Sequence, residues 1–187
     1  MPEKNTTAPL FKLKDVYGRE IDLSAYREKR VLLGFFRHAG CPFCNLRIHT
    51  LTKVHEELKS KGLEMIFFFE SKTQVILRSS FHQGVSPIPI ISDPEKVWYK
   101  NYGLEPSTAK AVVSHFTSFI QTVIKAKTEG VPVHLMASGE SFSTMPAEFL
   151  LDKGLILRKL HYSERLNHRV EISDIRTFAE TGVVVDS

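Results

Sequence analysis

Apolar and polar residues alternate in blocks along the first third of the chain, and each block predicts one element. Residues 10–23 alternate around the turn Tyr17-Gly18, which predicts a short hairpin of two strands. Residues 31–36 (VLLGFF) and 64–70 (EMIFFFE) are near-continuous apolar runs, typical of strands buried on both faces. The segment between these runs predicts a helix that ends at Lys61-Gly62. Its apolar face repeats at spacings of four and three residues and consists of Cys44, Ile48, Leu51, His55 and Leu58.

The middle of the chain continues this alternation of helices and strands. Residues 72–84 predict a helix with a glycine stop, and residues 88–92 predict a strand. Residues 93–103 predict a short helix with Asp93 at its cap. A longer helix is predicted over 107–129, with an apolar stripe of Val112, Phe116, Phe119, Ile120 and Val123.

The last part of the chain predicts a different arrangement. After a loop that contains glycine and serine, two strands are predicted around the turn Lys153-Gly154. A closing helix is predicted over 171–182. Alternating strands and helices, followed by an antiparallel hairpin and a helix, predict an α/β fold with a mixed central sheet flanked by helices.

The composition fits one globular domain over residues 1–187, with residues 1–8 expected to be flexible. Hydrophobic residues make up 42% and charged residues 25% of the chain. The net charge of +4 is modest and basic residues alternate with acidic ones, so no nucleic-acid partner is expected. The start lacks an apolar signal segment and no apolar run approaches a membrane span, so we expect a cytoplasmic protein with no membrane partner.

Cys41 and Cys44 are the two cysteines of the chain, and they lie in the segment HAGCPFC. The cytosol keeps thiols reduced, which argues against a structural disulfide. Cys41 lies where a buried strand turns into a helix, and the N–H groups at a helix N-terminus stabilise a thiolate. Cys44 begins the apolar face and is expected to point inward. The pattern predicts a redox pair in which Cys41, the more exposed and more acidic thiol, attacks and Cys44 resolves the mixed disulfide.

Two alternatives to a redox pair stay open at this point. A zinc site needs four ligands, and His49 and His55 follow the cysteines closely. The two histidines are separated by about 240° around a helix, which argues against a shared ion. The second alternative is a pair of buried structural cysteines, which would be inert. We expect no metal and no cofactor.

The segments FFRHAGCPFC and MPAEFLLDKG are similar to a known family. The order strand, CPFC, helix and later MP, strand, KG, strand, helix resembles the thioredoxin fold. Residues 9–180 resemble the peroxiredoxin-like branch of the alkyl hydroperoxide reductase and thiol-specific antioxidant superfamily. This resemblance implies that the Met145–Pro146 bond is cis, that Pro146 packs against the cysteines, and that Met145 aligns an extended substrate. It also implies a helical insertion before the cis-proline strand, because the stretch Ser107–Ser143 has no counterpart in a minimal thioredoxin.

The resemblance further implies roles for the residues around Cys41. Arg37, four residues earlier, would neighbour the thiolate; the alternative is an exposed arginine at a strand end. His38 would take a proton from Cys41 or stabilise its thiolate, and the alternative is a solvated loop histidine. Pro42 and Phe43 resemble a glutaredoxin dipeptide suited to reversible disulfide exchange.

The sequence also departs from typical peroxiredoxins. Gly34 and His38 stand where that family has proline and threonine. No arginine is next to Pro146, and the nearest strand arginine is Arg158. We therefore expect any reaction with peroxide to be slower than that of a typical peroxiredoxin.

The sequence thus predicts a thiol–disulfide oxidoreductase of peroxiredoxin-like type with an antioxidant or redox role. It would cycle between a Cys41–Cys44 dithiol and a disulfide. A thiol-dependent peroxidase that forms a Cys41 sulfenic acid is the second hypothesis, and a non-catalytic redox-responsive binding protein is the third. The expected partners are a thiol reductant, either glutathione or a thioredoxin-type protein, and a disulfide or hydroperoxide substrate. A homodimer is compatible with the apolar stripe.

Overall fold

The computed structural model of the protein describes residues 1–104, 121–133 and 143–184. Its strands are β1 (Lys12–Lys14), β2 (Glu20–Asp22), β3 (Arg30–Phe35), β4 (Leu63–Phe69), β5 (Ile90–Ser92), β6 (Ala147–Asp152) and β7 (Ile156–Tyr162). Strands β1 and β2 form a separate hairpin, and the others form a five-stranded sheet in the order β5-β4-β3-β6-β7. In this sheet β3, β4 and β5 run parallel, whereas β6 and β7 pair antiparallel. The predicted α/β fold with a mixed sheet and an N-terminal hairpin is confirmed.

The helices follow the predicted order, with three differences. They are α1 (Pro42–Lys53), α2 (His55–Ser60), α3 (Thr73–Leu77), α4 (Ser80–Gly84), α5 (Val97–Asn101), α6 (residues 121–128) and α7 (Ile172–Thr181). The first difference is that the helix predicted over 93–103 with Asp93 at its cap begins only at Val97, with Lys96 as its N-cap residue, although the Asp93 carboxylate does accept from Val97 N–H. The helix predicted to reach Lys61 is divided into α1 and α2, because Val54 leaves helical geometry with φ −104° and ψ 3°. The helix predicted over 72–84 is likewise divided, into α3 and α4. No helix in the three described ranges is long and apolar enough to cross a membrane.

Both faces of the central sheet are covered by apolar side chains. Alternate residues of a strand point to opposite faces. The face towards α1, α2 and α7 therefore receives Met65, Phe67 and Phe69 from β4. The face towards the hairpin and α5 receives Ile66 and Phe68 from the same strand. This double burial explains why the central strands are continuous apolar runs instead of alternating ones.

The longest predicted helix is described in part, and the N-terminal residues are described throughout. Of the helix predicted over 107–129, only residues 121–129 are described, and the stripe residues Val112, Phe116, Phe119 and Ile120 lie outside the described residues. Residues 5–8, expected to be flexible, make backbone contacts with the start of β7. Asn5 N–H donates to Leu157 O at 2.7 Å, and Thr7 forms a bridge with Ile156.

The sheet brings two distant segments to one edge. Strand β3 ends at Phe35 and leads to the N-terminus of α1. Strand β6 runs antiparallel to β3, with Ala147 opposite Phe35, so the residues before Ala147 reach the same edge. Met145 consequently belongs to the same buried cluster as Cys41 and Cys44.

Candidate active site

Cys41 is the N-cap residue of α1, with an extended backbone at φ −71° and ψ 114°. Pro42 follows at the start of the helix, where its missing N–H is not needed. Cys44 lies one turn further on and points into the core. Both cysteines are free thiols, so the structure records the dithiol form.

Cys41 is not the exposed thiol that the sequence predicted, because both cysteines have 0% of their surface exposed. The reason is that neighbouring segments hold the loop before Cys41 inside the protein. Ala39 N–H donates to Ser71 Oγ at 2.8 Å. The side-chain amide of Asn45 donates to the carbonyls of Ala39 and Pro132 at 2.8 and 2.9 Å. These contacts connect the loop to the end of β4 and to the segment after α6.

The two thiols nevertheless differ in acidity in the predicted direction. Burial alone would raise the pKa of Cys41, but a hydrogen bond from the Cys44 thiol and the positive charge of Arg37 outweigh burial and lower the pKa to about 6. For Cys44, burial, the same hydrogen bond and the negative charge on Cys41 all raise the pKa well above its ordinary value. At neutral pH the pair therefore holds one thiolate, on Cys41, and one thiol, on Cys44.

Arg37 contacts both sulfur atoms. Its backbone N–H donates to Cys44 Sγ at 3.4 Å, and its Nη1 lies 3.8 Å from Cys41 Sγ. The side chain is fully buried, so the alternative of an exposed arginine at the strand end is wrong. A guanidinium in this position favours the thiolate form of Cys41.

Arg169 is a second buried arginine near the cysteines, and sequence reasoning missed it. It lies in the segment before α7, and its side chain is 7% exposed. Its positive charge lowers the pKa of Cys41 as well, after the larger effects named above. No arginine lies next to Pro146, but Arg169 supplies a positive charge near Cys41 from a different loop, which no sequence pattern connects to the cysteines.

Glu148 on β6 connects Arg169 to α1. It is fully buried and forms a bidentate ion pair with Arg47, with distances of 2.7 and 2.8 Å. It also accepts a hydrogen bond from Val170 N–H at 3.1 Å and lies 3.8 Å from Arg169 Nε. Burial would raise the pKa of Glu148, but the charge and hydrogen bonds of Arg47 hold it below its usual value. The charged form of Glu148 is therefore favoured, and it holds Arg47 by two hydrogen bonds and attracts Arg169 through its charge.

The remaining residues of the cysteine loop are also buried. His38 is buried, so it is not a solvated loop histidine, and its backbone carbonyl accepts from Cys41 N–H at 3.0 Å. Its role as a base stays a prediction. Phe43 is buried as well and belongs to the same cluster as the two cysteines.

Pro146 differs from the expected backbone geometry, and its packing against the cysteines stays a prediction. The cis peptide bond found in the described residues is Ser86–Pro87, so the prediction of a cis Met145–Pro146 bond is wrong. Pro146 instead continues β6 as an extended chain, since its carbonyl accepts from Ser163 N–H at 3.0 Å and lengthens the ladder with β7. The trans bond is the ordinary preference of an X–Pro peptide. Met145 is buried and packs in the cluster that contains both cysteines.

A buried polar network holds the segment before Pro146 against β4. Thr144 Oγ1 donates to Glu70 Oε2 at 2.7 Å. Lys96 Nζ contacts both of these groups, at 2.9 Å from each. Glu70 and Thr144 are both buried. The network positions the chain that leads to Met145, and no sequence pattern indicates it.

The histidines considered as zinc ligands make other contacts. His49 Nε2 lies 3.5 Å from Glu129, and His55 Nδ1 lies 3.1 Å from Glu56. In the part of the chain that the structure describes, no group of three or more His, Cys, Asp or Glu side chains is arranged to hold a metal ion.

A cleft of about 450 Å³ opens beside the cysteine loop. Phe43 and Arg47 of α1 line one side, Lys125 of α6 lines another, and Arg169 lines the wall next to α7. The cleft therefore adjoins a residue between the two cysteines and contains one of the two arginines that act on Cys41.

Known proteins share sequence with this chain over more than half of its length. The sequence profile of the AhpC/TSA family matches residues 5–159. The chain is 24% identical over 116 residues to the thiol-disulfide oxidoreductase ResA of Bacillus thuringiensis subsp. konkukian, a match that covers 62% of this chain and 66% of ResA. It is 28% identical over 122 residues to the prostamide/prostaglandin F synthase of Salmo salar, covering 64% of this chain and 60% of the synthase. The matches thus span less than two thirds of these relatives.

A solved structure supports the fold. The thiol peroxidase from Chromobacterium violaceum superposes with a TM-score of 0.63 at 15% identity, over 97% of this chain and 88% of the peroxidase. The buried CPFC turn between β3 and α1, the mixed sheet and the family match agree with one another. The chain belongs to the AhpC/TSA family and has a thioredoxin-like fold.

Proposed function

We propose that the protein is a thiol–disulfide oxidoreductase that cycles between the Cys41–Cys44 dithiol and the corresponding disulfide. The observation that carries this proposal is the opposite direction of the two pKa shifts. One thiol of the pair has a pKa of about 6, whereas the pKa of its neighbour is raised. Disulfide exchange needs both forms. The thiolate is the nucleophile, and the second thiol stays protonated and unreactive until the mixed disulfide has formed.

The reaction follows from this difference in protonation. The Cys41 thiolate attacks one sulfur of a disulfide RSSR, a Cys41–S–S–R bond forms, and RS⁻ leaves and takes up a proton. The negative charge on Cys41 then disappears, which removes one cause of the raised pKa of Cys44. Cys44 loses its proton and attacks Cys41 Sγ, and the second RS⁻ leaves. The protein is oxidised by two electrons and RSSR is reduced to two RSH.

A peroxidase is the second candidate, and the two buried arginines favour it. Arg37 and Arg169 both act on Cys41, so positive charge is present where a peroxide would be cleaved. In that reaction the thiolate attacks ROOH, ROH leaves, and the Cys41 sulfenic acid condenses with Cys44 to a disulfide and water. His38 still stands at the threonine position, so we expect this reaction to be slower than in a typical peroxiredoxin.

One experiment separates the two candidates. Reduced protein is mixed with one equivalent of either oxidised glutathione or hydrogen peroxide, and intact mass is followed with time. A transient glutathione adduct that resolves to a loss of two hydrogens supports disulfide exchange. Fast loss of two hydrogens with peroxide alone supports the peroxidase. Inert thiols with both reagents contradict both enzymatic candidates and leave the redox-responsive binding protein.

The partners are proposed on the same grounds. A cycling dithiol needs a reductant, and we propose glutathione or a thioredoxin-type protein, whose relative rates can be compared directly with the oxidised protein. A cytoplasmic location, a single domain over residues 1–187 and a homodimer stay predictions. Sedimentation of the full chain would decide the oligomeric state.

A further inference from the structure

The cleft beside Phe43 has the size of a small-molecule site. Its volume of about 450 Å³ lies within the range of roughly 300–1,000 Å³ that is usual for such sites. Phe43, between the two cysteines in sequence, forms part of its wall. A molecule in the cleft would therefore lie next to the turn that carries Cys41.

Arg169 lines this cleft, and only one of its three guanidinium nitrogens is hydrogen-bonded within the described residues. Its Nη1 donates to Ser163 Oγ at 2.9 Å and to the carbonyl of His168 at 3.0 Å. Within the described residues its Nε and Nη2 have no hydrogen-bond partner, although the side chain is only 7% exposed. A buried donor without an acceptor is unfavourable, so a small side-chain movement that brings these two nitrogens to an acceptor group in the cleft would be favoured.

The charges around the cleft favour an anion. Glu148 is the buried carboxylate that faces Arg169, and both of its oxygens are already bonded to Arg47. One carboxylate is thus shared between two guanidinium groups: Glu148 Oε1 lies 2.7 Å from Arg47 Nε and 3.8 Å from Arg169 Nε. Lys125 adds a further positive charge, and Glu171 is the single acidic residue in the described lining.

We infer that the cleft binds a carboxylate group of a small disulfide substrate, and that Arg169 holds this carboxylate while the substrate sulfur reaches Cys41. This inference rests on the proposed disulfide exchange and specifies its substrate class. The bond changes are those given above: the Cys41 thiolate displaces one RS⁻ and Cys44 displaces the second. Arg169 binds the substituent R and takes no part in breaking the S–S bond.

The test compares three small alkyl disulfides that differ in charge. They are dithiodipropionate, which is anionic, bis(hydroxyethyl) disulfide, which is neutral, and cystamine, which is cationic. The second-order rate of oxidation of the reduced full chain is measured with each. We expect the anionic disulfide to react about tenfold faster than the neutral one, which is the lower end of what a charge-assisted hydrogen bond contributes. Cystamine should be the slowest, and the differences should shrink as ionic strength rises.

Three variants test whether the preference for the anionic disulfide arises in the cleft. Arg169→Gln should bring the ratio of anionic to neutral rates close to one. The ratio is informative even though Arg169 also affects the Cys41 thiolate, because a change in thiolate reactivity acts on both substrates. Lys125→Gln, at an exposed position, should lower the ratio about twofold without endangering the fold. Lys127→Gln is the matched control, since Lys127 is exposed on the same helix but does not line the cleft.

The outcomes are distinguishable. Equal rates for the three disulfides, or a ratio that Lys125→Gln and Lys127→Gln lower equally, would overturn the inference and leave the proposed exchange function standing. Absence of reaction with all three disulfides would overturn the proposed function, and the inference with it. An anionic preference that is lost in Arg169→Gln and retained in Lys127→Gln supports both.

Discussion

Arg37 Nη1 lies 3.8 Å from Cys41 Sγ, while the backbone N–H of the same arginine donates to Cys44 Sγ at 3.4 Å. Arg37 is fully buried, so its charge is weakly screened by solvent. The guanidinium faces the attacking sulfur and the amide faces the resolving one. Together with the hydrogen bond from Cys44, this arrangement lowers the pKa of Cys41 although burial opposes the charged form.

Titration of the thiols should show this separation directly. In the reduced protein, ultraviolet absorbance of the thiolate should rise with a midpoint near the pKa of about 6. The second thiol should ionise only far above neutral pH. The first transition should be missing in Cys41→Ser. Two overlapping transitions close to pH 9 would show that the environment does not stabilise the Cys41 thiolate.

Replacement of Arg37 tests its share of that stabilisation. Arg37→Gln should raise the pKa of Cys41 by roughly one to two units, because a nearby opposite charge is usually worth about that much. Arg37→Lys keeps the charge and should raise the pKa less. Arg158→Gln, which removes a charge from a half-buried strand residue that faces Asp152, is the control and should leave the titration unchanged. An unaltered midpoint in Arg37→Gln would assign the acidity to other groups.

The fold was accessible from the sequence because its signals are local. Continuous apolar runs mark β3 and β4, and the order of elements around CPFC specifies the sheet. The turn at Gly154, with φ +75°, marks the hairpin of β6 and β7. The break at Val54 was not foreseen, because the apolar spacing continues through α2 and only the backbone changes.

The site was accessible only in part because burial and long-range ion pairs are not local properties. The cysteine pair and Arg37 lie within eight residues of one another, and the sequence shows them together. Arg169 lies near Glu148, which is paired with Arg47, and these three residues come from three segments that are distant in sequence. The burial of Cys41 depends on contacts of the loop and of α1 with equally distant residues.

Stability of the reduced protein should depend on pH through Cys41. Its pKa is about 6 in the folded protein and 9.0 ordinarily. A lowered pKa contributes stability that is fully present above 9.0 and is lost as pH falls towards 6. At about 1.4 kcal/mol per unit, the contribution is on the order of a few kcal/mol. The raised pKa of Cys44 acts in the opposite direction, but only as pH rises above 9.0.

The measurement is urea unfolding of the reduced protein between about pH 6 and pH 9, compared with the double variant Cys41→Ser, Cys44→Ser. The stability difference between the two proteins should grow with pH in favour of the wild type. A constant difference would mean that the Cys41 thiolate is no more stable in the folded protein than in the unfolded chain.

Removal of Glu148 should destabilise the protein strongly. Glu148→Ala leaves Arg47 and Arg169 without their shared carboxylate, and breaking a buried ion pair in this way costs about 3–5 kcal/mol. Glu57→Ala is the matched control, because Glu57 forms a comparable bidentate pair with Arg176 on the surface. The control should lose much less stability in the same urea unfolding experiment. Equal losses would show that burial of the Glu148 network is not important.

The central claim is that Cys41 attacks and Cys44 resolves, and trapping of the mixed disulfide tests it most directly. Cys44→Ser and Cys41→Ser are each incubated in reduced form with oxidised glutathione at neutral pH, and the adduct is located by peptide mass mapping. We predict a stable glutathione adduct on Cys41 in Cys44→Ser, formed faster than any adduct in Cys41→Ser. Faster modification of Cys44 in Cys41→Ser, or an unmodified Cys41 in Cys44→Ser, would contradict the assignment of the two thiols.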